Sequence, residues 1–266
     1  MTTARPVALV TGASAGIGAA FARRLAAQGY DLVLVARRAG RLEELAAELT
    51  GRHGVHAEPL PADLTNDSDL KTVEDRIARE EHLEFLLNNA GFGSRGRFYE
   101  SPVEVQAAMH RLHVITTLRL AHAALRKMTA RGKGTVVNVS SVAAFVCRPG
   151  TTSYDATKAW INCFTEGLYL ELKQARSPVR VQALCPGYTI TEFHDVIGFD
   201  RKQVPASWWT PVERVVDASL EGLRRRKLFV IPGWRYKFIV ALLRLMPRSL
   251  LHATSWWGSR WDGKRE

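Results

Sequence analysis

The stretch PVALVTGASAGIGAAFARRLAAQG, residues 6–29, holds three elements in succession. PVALVT is a short apolar run of the kind that forms a buried strand, and AAFARRLAAQG is a helical segment. Between them stand Gly12, Gly16 and Gly18, with Ser14 and Ile17 interleaved. A helix start leaves N–H groups without intrahelical partners, and residues without side chains let an anion come close to them. A lone glycine triplet is a weak signal. One that follows the first strand, opens a helix and sits inside a strand–helix–strand unit marks a dinucleotide-phosphate turn.

Outward from this turn, short apolar runs alternate with longer segments of helical period. The predicted strands are residues 6–11, 31–36, 55–60, 83–88, 135–140, 179–184 and 227–231. Leu42, Leu45, Ala46 and Leu49 mark the apolar face of a helix between the second and third. Nearly every gap exceeds the dozen residues that a parallel crossover needs. The expectation is an α/β fold: a Rossmann-type, doubly wound parallel sheet of about seven strands, with ligands at the carboxyl ends of the strands. A length of 266 residues suits one domain, here residues 1–231 with a helical C-terminal extension over 232–266.

Composition excludes several classes. With 46% hydrophobic and 24% charged residues the chain is not a largely disordered one. Cys147, Cys163 and Cys185 are too few and too scattered for a disulfide framework or metal cluster, and are expected to be core or near-core thiols. No apolar run precedes the first strand, so a reducing cytoplasm is the expected location.

The end of the second strand normally meets the adenosine ribose, where an Asp or Glu accepts from the 2′ hydroxyl in NAD sites. Here the residues are Ala36, Arg37 and Arg38. A guanidinium attracts a 2′-phosphate and can bond it in bidentate fashion, which favours NADP(H) over NAD(H). Arg37 is the expected phosphate contact, and Arg38 is read as a charge at a helix start.

A second stretch, SYDATKAW at 153–160, places Tyr154 four residues before Lys158. On a helix that spacing puts both side chains on one face. An ammonium nearby favours phenolate over phenol and can bring a tyrosine with a reference pKa of about 10 toward the range where it moves a proton. A solvated surface pair is the ordinary alternative, and the neighbouring motifs decide between them.

Those motifs are the glycine turn, the tetrapeptide NNAG at 88–91, Ser141 thirteen residues before Tyr154, the YDATK segment and PGYTIT at 186–191. In this order and at these spacings the chain resembles the short-chain dehydrogenase/reductase family over residues 6 to about 231. The resemblance implies that Tyr154 donates or accepts the proton at the substrate oxygen, and that Lys158 lowers its pKa and bonds the nicotinamide ribose. It implies further that Ser141 bonds the same substrate oxygen. Asp63 would contact the adenine, with Leu64 packing nearby, and Asn89, Ala90 and Gly91 would line the adenosine ribose. Thr189, with Pro186, Gly187 and Thr191, would hold the nicotinamide carboxamide. One position departs from the family pattern: His113, in MHRLHVITT, stands where an asparagine usually helps hold a water near the lysine. Imidazole can also bond a water or carbonyl, so His113 is kept as a candidate site residue, and a catalytically silent NADP-binding sensor or scaffold is the competing reading. His110 and His113 lack a third ligand, so no metal is expected.

The segment 188–209 should close over the substrate. Phe193, Phe199, Trp208 and Trp209, with Val142, Phe145 and Val146, would give it an apolar wall. The expected substrate is a small apolar ketone, aldehyde or secondary alcohol. Residues 224–266 hold eleven Lys and Arg against two acids, a net +9 of the chain's +11. The run FIVALLRLM is too short to span a bilayer. Trp234, Trp256, Trp257 and Trp261 interleave with basic residues, a composition suited to a flap over the site, to a subunit contact in a homodimer or homotetramer, or to an anionic membrane surface. A membrane-docked, lipid-modifying reductase belongs to the last of these. No nucleic-acid partner is expected, since no binding module accompanies the charge.

Overall fold

The alternation of apolar strands with amphipathic helices closes into one seven-stranded parallel sheet in the order β3-β2-β1-β4-β5-β6-β7. The computed structural model describes residues 4–193, 198–247 and 249–252. The strands are β1 (Val7–Thr11), β2 (Asp31–Ala36), β3 (Ala57–Pro61), β4 (Leu83–Asn88), β5 (Thr135–Val139), β6 (Arg180–Leu184) and β7 (Phe229–Val230). The main helices are α1 (Gly16–Ala26), α2 (Ala39–His53), α3 (Asp67–Arg79), α4 (Val103–His110), α5 (Thr116–Arg131), α6 (Thr152–Gln174), α7 (Val212–Arg224) and α8 (Trp234–Leu245).

Period-2 alternation of the strands divides the core into two layers. Ala8 and Val10 of β1, with Leu32 and Leu34 of β2, pack under α1, α2 and α7. Val7 and Leu9, with Val33 and Val35, face α3, α5 and α6. Both faces are covered, which is why these strands read as continuous apolar runs. Leu42, Leu45, Ala46 and Leu49 of α2 are all buried, as their spacing predicts. The order reverses at β1, which pairs with β2 on one side and β4 on the other. Side chains at the carboxyl ends of these strands meet in the crevice that such a reversal opens.

Two strands differ from expectation by more than one residue at an end. β3 begins at Ala57 because Gly54 ends α2 in the left-handed conformation (φ 63°) and Val55 is buried as a packing residue ahead of the ladder. β7 shrinks to an edge pair against Ala183 and Leu184. The thiols also depart from expectation: Cys185 is buried, but Cys147 and Cys163 are exposed. Trp256, Trp257 and Trp261 lie outside the described residues.

Phe21 is fully buried on α1, with its ring centroid 6.2 Å from that of Phe85. Phe21→Ala is expected to lower unfolding free energy by about 3–5 kcal/mol, read by urea denaturation; a loss under about 1 kcal/mol would contradict this packing.

Candidate active site

The glycine turn is built by close backbone approach. Gly12 and Gly16 take positive φ (66° and 54°), which favours glycine. A Cβ at Gly18 would stand 2.2 Å from the Gly12 carbonyl oxygen, so the first turn of α1 presses onto the strand exit only without a side chain there. Thr11 clasps the turn to β4: its hydroxyl donates to the Leu87 carbonyl and accepts from the backbone N–H of Asn89 and Ala90. The Asn89 amide donates back to the Thr11 carbonyl at 2.9 Å. Ala15, at the N-cap of α1, supplies no capping side chain. The helix therefore presents its first amides without a side-chain partner, in a hollow that a Cβ would fill, and these features fit a dinucleotide pyrophosphate.

At the end of β2 the structure distinguishes the two arginines. Both are exposed on the rim, and the Arg38 guanidinium donates to the Ser14 hydroxyl (3.0 and 3.2 Å), beside the glycine turn. Arg38 and Arg41 together hold the carboxylate of Glu192, which hydrogen bonds from both keep below its ordinary pKa. Asp63 lies on the same wall; against the burial that would raise its pKa, two hydrogen bonds from Thr65 and the charge of Arg37 hold it low.

At the opposite end, α6 is locked to the exit of β5. The Lys158 ammonium donates to the Val139 carbonyl (2.8 Å), and the Ser140 hydroxyl donates to the Lys158 carbonyl (2.9 Å). This brings Ser141, next in the chain, beside Tyr154, one helical turn before Lys158. Burial pushes the Tyr154 phenol up to about 12, only partly offset by a hydrogen bond with Ser141 and the charge of Arg148. Burial also lowers Lys158 to about 8. For Tyr154, burial outweighs any lowering of the tyrosine by the lysine. The ammonium lies 5.7 Å from the ring centroid and is spent on a backbone carbonyl, and desolvation dominates. Tyr154 is accordingly a protonated phenol at neutral pH. Asp155 is buried but paired with Arg148 and Thr151, which fixes the loop ahead of Tyr154.

His113 stands on a π-helical turn, Arg111–Ile115, inserted between α4 and α5. The wider turn rotates the imidazole inward, where it is 1% exposed. Its Nε2 accepts from the Phe92 N–H (3.2 Å), and Nδ1 lies 2.8 Å from the Thr157 hydroxyl, which itself donates to the Tyr154 carbonyl. These partners assign a neutral ring with the proton on Nδ1, and burial, with the charge of Lys158, holds its pKa well below the usual histidine value. His113 thus sits behind the wall of the cleft.

A single cleft of about 510 Å3 joins the two ends. Of the catalytic and cofactor-binding candidates from sequence, all but Gly18 and His113 line it. Phe193, Phe199, Tyr188 and Val142 form the wall beyond Tyr154. Trp208, Trp209, Phe145 and Val146, expected in that wall, do not reach it. Trp209 packs behind Tyr188 and Phe199, Trp208 stands edge-on to Tyr236, and Phe145 contacts Phe229. Sequence reading missed Tyr236: its hydroxyl accepts from the Tyr188 N–H (3.0 Å) and donates to the Trp208 carbonyl (2.7 Å), so α8 braces the loop rather than covering the cleft. The signal was Gly187, where a Cβ would meet the Tyr236 ring at 2.1 Å.

Residues 6–201 match the family model described as short chain dehydrogenase. The chain belongs to the short-chain dehydrogenase family. Among solved structures it is similar to a short-chain dehydrogenase from Sphingobium yanoikuyae in complex with NADPH. That likeness has 36% identity and a TM-score of 0.81, and covers 98% of this chain and 96% of the other. It is similar also to the bulky-bulky ketone specific alcohol dehydrogenase from Comamonas testosteroni, with 32% identity, a TM-score of 0.78, and 99% and 96% of the two chains covered. Among curated proteins, a 7beta-hydroxysteroid dehydrogenase from Collinsella aerofaciens is 31% identical over 231 residues, covering 86% of each chain. The chain is thus a family oxidoreductase whose cleft fits a nicotinamide dinucleotide.

Because Glu192 already occupies Arg38 and Arg41, it competes with any phosphate brought to that corner. Glu192→Gln is expected to tighten NADPH binding about two- to fivefold, the scale of an exposed ion pair, measured by fluorescence titration; weaker binding would show that the carboxylate assists the cofactor instead.

Proposed function

We propose that the protein is an NADP(H)-dependent oxidoreductase acting on an apolar ketone or aldehyde, or on the corresponding secondary alcohol. The observation that carries this reading is that Ser141, Tyr154 and Lys158 line the same cleft as the glycine turn and the Arg37–Arg38 corner. A bound nicotinamide supplies or takes the hydride. The rest falls to this chain's side chains. Tyr154, protonated at neutral pH, donates its proton to the substrate oxygen in the reducing direction. Ser141 donates a hydrogen bond to the same oxygen as charge builds there. Lys158 holds the cofactor ribose and, as the ammonium, stabilises the phenolate left after proton transfer. Asp63, Leu64, Asn89, Ala90 and Gly91 receive the adenosine half, and Pro186, Gly187, Thr189 and Thr191 the carboxamide. His113 is a positioning residue: through Thr157 it fixes the helical turn that carries Tyr154.

NADP preference rests on Arg37 and Arg38, with Ser14 added because the Arg38 guanidinium is already oriented on its hydroxyl. The relative bound to NADPH and the relative named for bulky ketones support the cofactor and the substrate class. The aromatic wall of Tyr188, Phe193 and Phe199 supports the latter as well. Exposed apolar side chains, Leu118 on α5 and Leu170 on α6, support self-association as a homodimer or homotetramer, which sedimentation equilibrium reads directly; a monomer at all concentrations would refute it.

Two expected outcomes test this function. Tyr154→Phe should reduce NADPH-dependent turnover of bulky ketones by about 100-fold or more while NADPH still binds. Unchanged turnover would remove the phenol from the chemistry, and wild-type binding without turnover on any carbonyl would favour a silent sensor. Arg38→Ala should weaken NADPH by about tenfold or more, the scale of lost charge-assisted hydrogen bonds, and leave NADH nearly unchanged; equal losses for both cofactors would refute a 2′-phosphate contact.

A further inference from the structure

Helix α8 has two faces of opposite fate. Tyr236 and Val240 are buried, and Tyr236 is bonded into the loop that carries Tyr188. The opposite face exposes Trp234 (73%), Phe238 (66%), Leu242 (49%) and Leu245 (83%). At helical spacing these four form one continuous seam. Lys237 stands exposed at one edge of that seam, while Arg235 at the other donates to the Ser207 carbonyl and the Arg244 guanidinium lies over the rings of Phe145 and Phe229. Four large apolar side chains left in water on a single short helix form a patch of the kind that marks an interaction surface.

Charge decides what covers it. Helix α8 itself carries Arg235, Lys237 and Arg244 and no acidic residue, so it suits a partner that is both apolar and negatively charged. An apolar seam edged by cations, with an aromatic residue at its end, is the profile of a helix lying in the plane of a membrane interface. Lys237, exposed at the edge, reaches the headgroups while its stem covers apolar surface. Among the described residues no helix is long and apolar enough to cross a bilayer, so the contact is peripheral.

We propose that the exposed face of α8 docks the protein on an anionic lipid bilayer, with Trp234, Phe238, Leu242 and Leu245 entering the headgroup boundary. The buried face of the same helix braces Tyr188, which lines the cleft. Docking therefore holds the loop side of the cleft about one helix diameter, roughly 10 Å, from the lipid.

Co-sedimentation of the full chain with vesicles tests this, comparing phosphatidylcholine alone with vesicles containing about 30% phosphatidylglycerol, at low and high salt. Binding should require the anionic lipid and fall as salt rises. The variant W234E/F238E/L245E alters only exposed side chains, so its melting temperature should match wild type while its partition drops at least tenfold. Three results overturn the proposal. The first is no binding by the full chain. The second is undiminished binding by the triple variant, with loss instead in W256S/W257S/W261S, which places the contact in the C-terminal residues. The third is a change from dimer to monomer by light scattering in the triple variant without lipid, which assigns the seam to a second copy of the chain.

Discussion

A buried ammonium organises this molecule's chemistry. Lys158 is 5% exposed, and removing a cation from water costs several kcal/mol unless its hydrogens find acceptors. It donates to the Val139 carbonyl at the end of β5, while its own carbonyl accepts from Ser140. This reciprocal pair pins the start of α6 to the strand exit and so fixes Ser141 and Tyr154 in one corner. Tyr154 is a phenol at neutral pH for a separate reason, since burial penalises its anion. The reduction proposed above needs this acid form.

The fold was legible because both faces of the sheet are covered. β1 and β2 read as continuous apolar runs since alternate residues serve different layers, and the glycines at 12, 16 and 18 announce the strand-to-helix turn. Failures came where packing and pairing part company. Val55 is as apolar as a strand residue but packs beneath the sheet before the ladder begins, so β3 starts later than its composition suggests. Cys163 lies on the solvent side of α6, where a small thiol carries no positional signal. The π-helical turn at Arg111–Ile115 has no residue signature, being set by the fit of His113 between Phe92 and Thr157.

At the site, motifs that act through backbone proximity were visible and contacts made across sequence were not. Arg38 is the exposed charge at a helix start that its position suggested, but its partners come from elsewhere, Ser14 from the glycine turn and Glu192 from a loop 154 residues away. Tyr236 was hidden for the same reason, although Gly187 records its presence. The aromatic residues of 188–209 were expected to share one apolar lid, but composition does not say which of them face the cleft and which support those that do.

The proposed chemistry requires one bound dinucleotide to touch both ends of the cleft. A crystal structure of the protein with NADPH tests this most directly. The 2′-phosphate should lie against Arg38 and Ser14, and the nicotinamide beside Tyr154 and Ser141 with its ribose on Lys158. A dinucleotide whose nicotinamide half lies outside that corner would contradict this arrangement.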